Sequence, residues 1–225
     1  MTRPRAVVFD VDGVLVDSLP AHLEMCAQLS REFGLGLVIP GVEEFRSLVH
    51  RGVIISPMVE FFRAVGFPEE RAHEADQEYE RSFATRFSPA PFAGVAEMLA
   101  RLKRADVELG IVSSNTRANV DKALGDLAAA FPPERVFTRD HSNARTKVQA
   151  LRMLTDDLGL PKERIVYVGD QPADAEAART AGLPFIGVMY GWGLAPGDEL
   201  APGPAEGSVL VESPEALAAY LVEAA

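Results

Sequence analysis

The sequence predicts an α/β fold: a parallel sheet with helices on both faces, interrupted by an inserted helical segment. Three observations predict it. Short apolar runs rich in β-branched residues recur along the chain. Helical patterns lie between those runs from residue 94 onward. The stretch 18–88 instead carries successive helix-like segments with no convincing strand among them.

Residues 5–9 (RAVVF) read as a strand buried on both faces. Similar runs follow at 107–112, 164–168, 184–188 and 208–211, with a weaker one at 135–138. The helical pattern over 94–104 places Val95, Met98, Leu99 and Leu102 on one stripe, and 117–129, 146–158 and 173–181 also read as helices. Ser213-Pro214 marks a helix start before 215–223, with Ser as N-cap and Pro in the first turn. In the insert, helix-like segments at 19–33, 42–50, 53–65 and 69–86 are separated by Gly34, Gly41, Gly52 and Gly66-Phe67-Pro68. The chain is expected to leave the sheet near Asp17-Ser18 and to return near Ser88-Pro89-Ala90-Pro91, where the prolines disfavour helix and suit a hinge. Residues 193–207 read as a Gly/Pro-rich surface loop.

Composition narrows the function classes. The 225 residues include 22 Lys plus Arg against 33 Asp plus Glu, a formal charge of −11. Such a surface repels nucleic acid and anionic membranes, so neither is expected as a partner. The single cysteine, Cys26, excludes an internal disulfide and a cysteine-based metal cage; it reads as apolar packing. No apolar run approaches the ~18 residues needed to span a bilayer. The amino terminus leads directly into the first strand-like run and lacks the apolar core and cleavage site of a secretory signal, so a reducing, cytoplasmic setting is expected.

Three strand-like runs end in polar residues: the first in Asp10-Val11-Asp12-Gly13, the second in Ser113-Ser114-Asn115, and the fourth in Gly169-Asp170 with Asp174 four residues on. In an open parallel sheet the carboxyl ends of the strands share one edge, and ligands bind in the crevice outside it. These groups are therefore expected to converge. Converging carboxylates repel one another and take up protons unless a cation sits among them. An all-oxygen set suits a hard cation, with Mg²⁺ the usual one where phosphate is the substrate. No His or Cys falls at these strand ends, which disfavours zinc. Gly13 allows a tight turn and close approach of a ligand to the backbone. Asp174 taken alone also suits a first-turn helix acid facing the dipole.

Residues 9–18, Phe-Asp-Val-Asp-Gly-Val-Leu-Val-Asp-Ser, resemble the first motif of the haloacid dehalogenase-like hydrolases. Leu109 to Asn115 is similar to the second motif, a strand ending in Ser or Thr, and Val168-Gly169-Asp170-Gln171-Pro172-Ala173-Asp174 resembles the fourth. The resemblance covers essentially the whole chain. The helical insert looks like the cap of the phosphoglycolate phosphatase and β-phosphoglucomutase branch. It implies a Rossmann-like core domain over 1–17 and 89–225 and a helical cap domain over 18–88.

It also implies covalent phosphoryl transfer on a small phosphorylated metabolite, by a monomer or homodimer. Asp10 would attack phosphorus and form an aspartyl-phosphate. Asp12 would protonate the leaving oxygen and then take a proton from water. Mg²⁺ would be held by Asp10, the Asp12 backbone carbonyl and Asp170, with Asp174 orienting its water shell or binding it directly. Ser113 would bind a phosphoryl oxygen, with Ser114 and Asn115 beside it as substrate contacts. The family's third motif often reads Lys-Pro; here Ser142-Asn143-Ala144-Arg145-Thr146-Lys147 stands in its place. Lys147 is the expected phosphate-neutralising cation and Arg145 the alternative. Gln171 departs from the common Thr or Ser after Gly-Asp.

An acid at Asp12 favours phosphate esters over halides, because a leaving halide needs no proton. Asp17-Ser18 reads as the cap of the first insert helix. Arg46, His50, Arg51 and His22 are the insert's candidate substrate cations, with Arg51 and His22 preferred. Trp192, flanked by Gly191 and Gly193, suits either a loop at the site's rim or packing. Phe61 and Phe62, with Met58 and Val65, read as core of the insert. A phosphomutase of the β-phosphoglucomutase type is the alternative enzyme. A phosphonate hydrolase would need a cap lysine, and none occurs between Met1 and Leu102. A non-catalytic phospho-acceptor domain would be about half this length, lack the insert, and carry its phosphorylated Asp on a later strand.

Overall fold

The computed structural model describes residues 3–198 and 209–223. The chain divides into two compact units, Met1–Asp17 with Ala90–Ala225, and Ser18–Pro89.

Among the described residues, the first unit is built on six parallel strands: β1 (Ala6–Phe9), β2 (Glu108–Val112), β3 (Val136–Phe137), β4 (Ile165–Gly169), β5 (Phe185–Val188) and β6 (Val209–Val211). Their spatial order is β3-β2-β1-β4-β5-β6. The chain winds outward from β1 through β2 to β3, then returns to lay β4 on the other side of β1. That reversal falls between β1 and β4, the place in such sheets where ligands bind outside the carboxyl ends of the strands. In the second unit lie helices α1 (Leu19–Glu32), α2 (Val42–His50), α3 (Met58–Ala64) and α4 (Glu69–Arg86). The sheet carries α5 (Val95–Arg104), α6 (Arg117–Leu124), α7 (Lys147–Leu158), α8 (Pro172–Ala181) and α9 (Pro214–Glu223).

Strand alternation divides the core into two layers. Val7, Phe9, Leu109, Ile111, Val166, Val168, Ile186 and Val188 face a cluster supplied by α5, α6 and α9. Ala6, Val8, Val112, Ile165, Tyr167 and Phe185 face one supplied by α7 and α8. A strand buried on both sides cannot alternate apolar with polar, which is why these runs are continuously apolar. The register sets Phe9 opposite both Ile111 and Val168. Asp10 then continues the ladder, its N–H donating to Val168 O at 2.9 Å. Beyond it the N–H groups of Val14, Leu15 and Val16 all turn back to Val11 O, and Gly13 adopts φ +78°.

The second unit packs an aromatic core. Phe45, Phe61, Phe62, Phe67, Tyr79 and Phe83 are buried, and Phe45 and Phe61 lie 4.5 Å apart between ring centres. Cys26 is buried there too. Three local expectations change. The helix expected over 53–65 starts only at Met58, because Pro57 takes the N-cap position. The helix expected over 117–129 ends at Leu124: Gly125 turns to φ 52° and the chain continues as a 3-10 segment to Ala130. Ser18 occupies the N-cap position of α1 but makes no capping bond, because its backbone is already helical (φ −93°, ψ −13°) rather than extended. Of the loop expected over 193–207, residues 199–207 lie outside the described residues, as does Ser208 of the strand expected over 208–211.

Gly110 in β2 lets α7 lie close: a β-carbon there would sit 2.9 Å from Leu154 Cδ1 and 3.3 Å from Arg135 O. Gly110→Val is therefore expected to lower unfolding free energy by about 1–3 kcal/mol, read from urea denaturation.

Candidate active site

The carboxyl ends of β1 and β4 deliver Asp10 and Asp170 to one edge of the sheet, and the first turn of α8 delivers Asp174. All three are buried. One oxygen from each lies within 4.8 Å of the others. Lys147, the first residue of α7, reaches into the group. Its Nζ donates to Asp10 Oδ2 at 2.8 Å and to Asp174 Oδ1 at 2.6 Å. Thr146 starts that helix, its Oγ1 accepting from Gln149 N at 3.2 Å. Arg145 lies outside the helix and is exposed.

Asp10 Oδ1 accepts from Val11 N at 2.8 Å. Asp174 Oδ2 accepts from Gln171 N at 3.1 Å, closing a capping box, so this residue starts its helix and faces Lys147 together. Tyr167 Oη donates toward Asp174 Oδ1 at 3.3 Å. Asp170 Oδ2 accepts from Trp192 N at 2.9 Å. Asp170 Oδ1 is buried and has no hydrogen-bond partner among the described residues. Gly13 and Gly191 leave room around Asp170; a β-carbon on either would run into its side chain.

The electrostatics follow from this burial. Desolvation pushes the Asp10 carboxyl up to about 7, with Lys147 pulling against it and Asp174 adding to it. Desolvation raises Asp170 well above the usual carboxylate range, and Asp174 raises it further. Burial works against the Lys147 ammonium, yet Asp10 and Asp174 outweigh it and hold the group well above its ordinary value. Three carboxylates with one orphaned oxygen, and no nitrogen or sulfur donor in the set, fit a hard divalent cation.

The second strand end adds a polar shelf. Ser113 is buried, and its Oγ accepts from Asn115 N at 3.1 Å. Ser114 is exposed. Asn115 Nδ2 donates to Asp12 Oδ2 at 2.9 Å, so the Asp12 side chain meets Asn115 and stands outside the three-carboxylate group. In the second unit, Arg46 pairs with Glu43 at 3.2 Å, and His50 and Arg51 are exposed. His22 is packed among Phe61, Tyr79 and Phe83, its Nε2 2.9 Å from Tyr79 Oη. Sequence reasoning missed Tyr167, Asn119 and the Trp192 N–H. Tyr167 reads as strand core, and a backbone donor leaves no mark in sequence. Asn119 had one signal, its i+4 spacing from Asn115 at a helix start.

Residues 7–188 match the family model described as haloacid dehalogenase-like hydrolase. The chain belongs to the haloacid dehalogenase-like hydrolases. Its relatives place it in the phosphoglycolate phosphatase-like branch. The phosphoglycolate phosphatase of Xanthomonas campestris pv. campestris is 31% identical over 220 residues, covering 96% of each chain. The N-acetylmuramic acid 6-phosphate phosphatase of Pseudomonas putida is 28% identical, covering 84% of this chain and 85% of its own. Among solved structures, a haloacid dehalogenase-like family hydrolase from Streptococcus pneumoniae superposes with TM-score 0.68 at 22% identity, over 86% of this chain and 88% of its own. CbbY from Rhodobacter sphaeroides, solved with phosphate, gives 0.64 at 23% identity, over 95% and 96%. These two share the fold. Like its curated relatives, this family member is a phosphoric monoester hydrolase.

Lys147→Met removes the ammonium between two buried carboxylates. Asp10 then holds its proton to higher pH still, and ionising it costs the folded state more as pH rises above about 7. The variant should lose about 3 kcal/mol relative to the parent at pH 8 and clearly less at pH 5. Urea unfolding in chelator at both pH values checks it.

Proposed function

We propose that the protein is a Mg²⁺-dependent phosphatase of a small phosphorylated metabolite, phosphoglycolate or a sugar phosphate, working through an aspartyl-phosphate in a cytoplasmic setting. The observation that carries this reading is the gathering of Asp10, Asp170, Asp174 and Lys147 at the carboxyl ends of β1 and β4. The Xanthomonas relative's name supports a two-carbon acid phosphate, and the Pseudomonas relative's a phosphorylated sugar acid.

Asp10 is the nucleophile. Its Oδ1 is held by Val11 N, which leaves Oδ2, the oxygen facing Lys147, to attack phosphorus. Attack requires the ionised carboxylate, and burial alone opposes that near neutral pH. Lys147 lowers the cost and balances the negative charge on the transferring group. Asp12, two residues on and outside the buried group, gives a proton to the leaving oxygen and later takes one from the attacking water. Ser113 and Ser114 at the end of β2 offer hydroxyls to the phosphoryl oxygens. Asp10, Asp170, Asp174 and the Asp12 carbonyl would hold Mg²⁺, which when bound offsets the repulsion between an anionic nucleophile and an anionic phosphate. Arg51 belongs to the helical unit, which acts as the cap that selects the substrate; the buried His22 instead packs that unit's aromatic core.

The test is phosphate release over a metabolite panel containing 2-phosphoglycolate, N-acetylmuramic acid 6-phosphate and hexose phosphates, with and without Mg²⁺. Release that requires Mg²⁺ is expected. A sugar phosphate isomerised without release would replace this reading with the phosphomutase one. Asp10→Asn should keep the fold by circular dichroism and lose at least about 10³-fold in kcat. Protons compete with the cation at Asp10 and Asp170, whose carboxyls titrate above their ordinary range. Mg²⁺ affinity measured by calorimetry should therefore fall from pH 8 to pH 5, with protons released on binding, and Asp170→Asn should abolish the signal.

A further inference from the structure

We infer that Asn115 and Asn119 are positioning residues that fix the Asp12 carboxyl for proton transfer, an inference that rests on the role just given to Asp12. Asn115 Oδ1 accepts two bonds, from Thr116 N at 2.8 Å and from Asn119 Nδ2 at 2.7 Å. A backbone N–H can only donate, so the atom facing Thr116 N is the amide oxygen, and the amide nitrogen is the atom turned to Asp12. That nitrogen donates to Asp12 Oδ2 at 2.9 Å across 103 residues of sequence. The backbone of Asn115 is pinned as well: its N–H donates to Ser113 Oγ at 3.1 Å, and its carbonyl accepts from Arg139 N at 2.9 Å. Asn115 and Asn119 are both buried, while Asp12 is partly exposed. A rigid, buried amide pair thus grips one oxygen of a carboxyl that otherwise has two rotatable bonds.

The grip has a chemical consequence. With Oδ2 occupied by an N–H, the other oxygen, Oδ1, serves the reaction. In the first step the Asp10 Oδ2–P bond forms, the ester P–O bond breaks, and the proton on Asp12 Oδ1 passes to the departing oxygen. In the second, water attacks phosphorus, its proton goes to Asp12 Oδ1, and the Asp10 Oδ2–P bond breaks. Asn115 takes no proton and touches no reacting atom. It fixes where Oδ1 points.

Leaving groups separate positioning from mere structure, because a dinitrophenolate departs without a proton and an alkoxide does not. The readout is kcat/KM, which ends at the first irreversible step, for 2-phosphoglycolate (or the panel's fastest alkyl phosphate) against 2,4-dinitrophenyl phosphate. Asn115→Ala is expected to lose about 10- to 100-fold on the alkyl phosphate and less than about threefold on the aryl one. Asn119→Ala, which never meets Asp12, should show the same split at about 3- to 10-fold, and it keeps the test open if Asn115→Ala does not fold. Equal losses on both substrates, or no loss on either, would overturn the inference. Asp12→Ala run alongside tells the two readings apart. A split there without one in the asparagine variants removes only the positioning role; no split there removes the proton-transfer role of Asp12 and this inference with it.

Discussion

The contact on which the site depends is the Lys147 ammonium lodged between Asp10 and Asp174. Three carboxylates withdrawn from water at one sheet edge repel one another, and each is costly to ionise there. One buried cation reduces that cost but cannot remove it, since Asp10 still titrates near 7. The arrangement is short of positive charge by construction. A site that holds more negative charge than it neutralises is organised to receive a cation and to act on an anion beside it.

The fold supplies the positions cheaply. A parallel sheet brings every strand end to one rim, so a residue just past β1 and another just past β4 meet without any special loop. The switch of winding direction falls between those two strands. Helix starts do the rest: α7 presents Lys147 as its first residue, and α8 uses Asp174 both to begin its own hydrogen bonding and to face the lysine.

The continuous apolar runs gave the strands because both faces of the sheet are covered, and the aspartates stood directly after them. Between Lys147 and Arg145 spacing alone left a choice; in space Lys147 meets Asp10 and Asp174 from the helix start, while Arg145 falls before the cap and is exposed. Where the reading failed, the deciding term was conformational. Ser18 has the right chemistry for a cap, but its backbone is in the wrong region. Pro57 and Gly125 shortened helices whose apolar spacing ran on past them. Asn115 stood out in sequence as a polar residue at a strand end, which suggested a substrate contact. Its amide is committed to Asp12 instead, an orientation fixed by Thr116 N and Asn119 that no spacing rule encodes.

The earliest of the described strands, β1, lies in the middle of the sheet. β1 has no neighbour until Glu108 and the residues after it exist, and its other flank stays bare until Ile165 is reached. Its four apolar residues must be kept from wrong pairings while most of the chain is still being synthesised. Such long-range pairing slows folding and leaves an edge open to aggregation. Growth of the polypeptide on the ribosome therefore delivers Asp10 early and Asp170 and Asp174 late, so that the group of three carboxylates is completed only once β4 and α8 have been made.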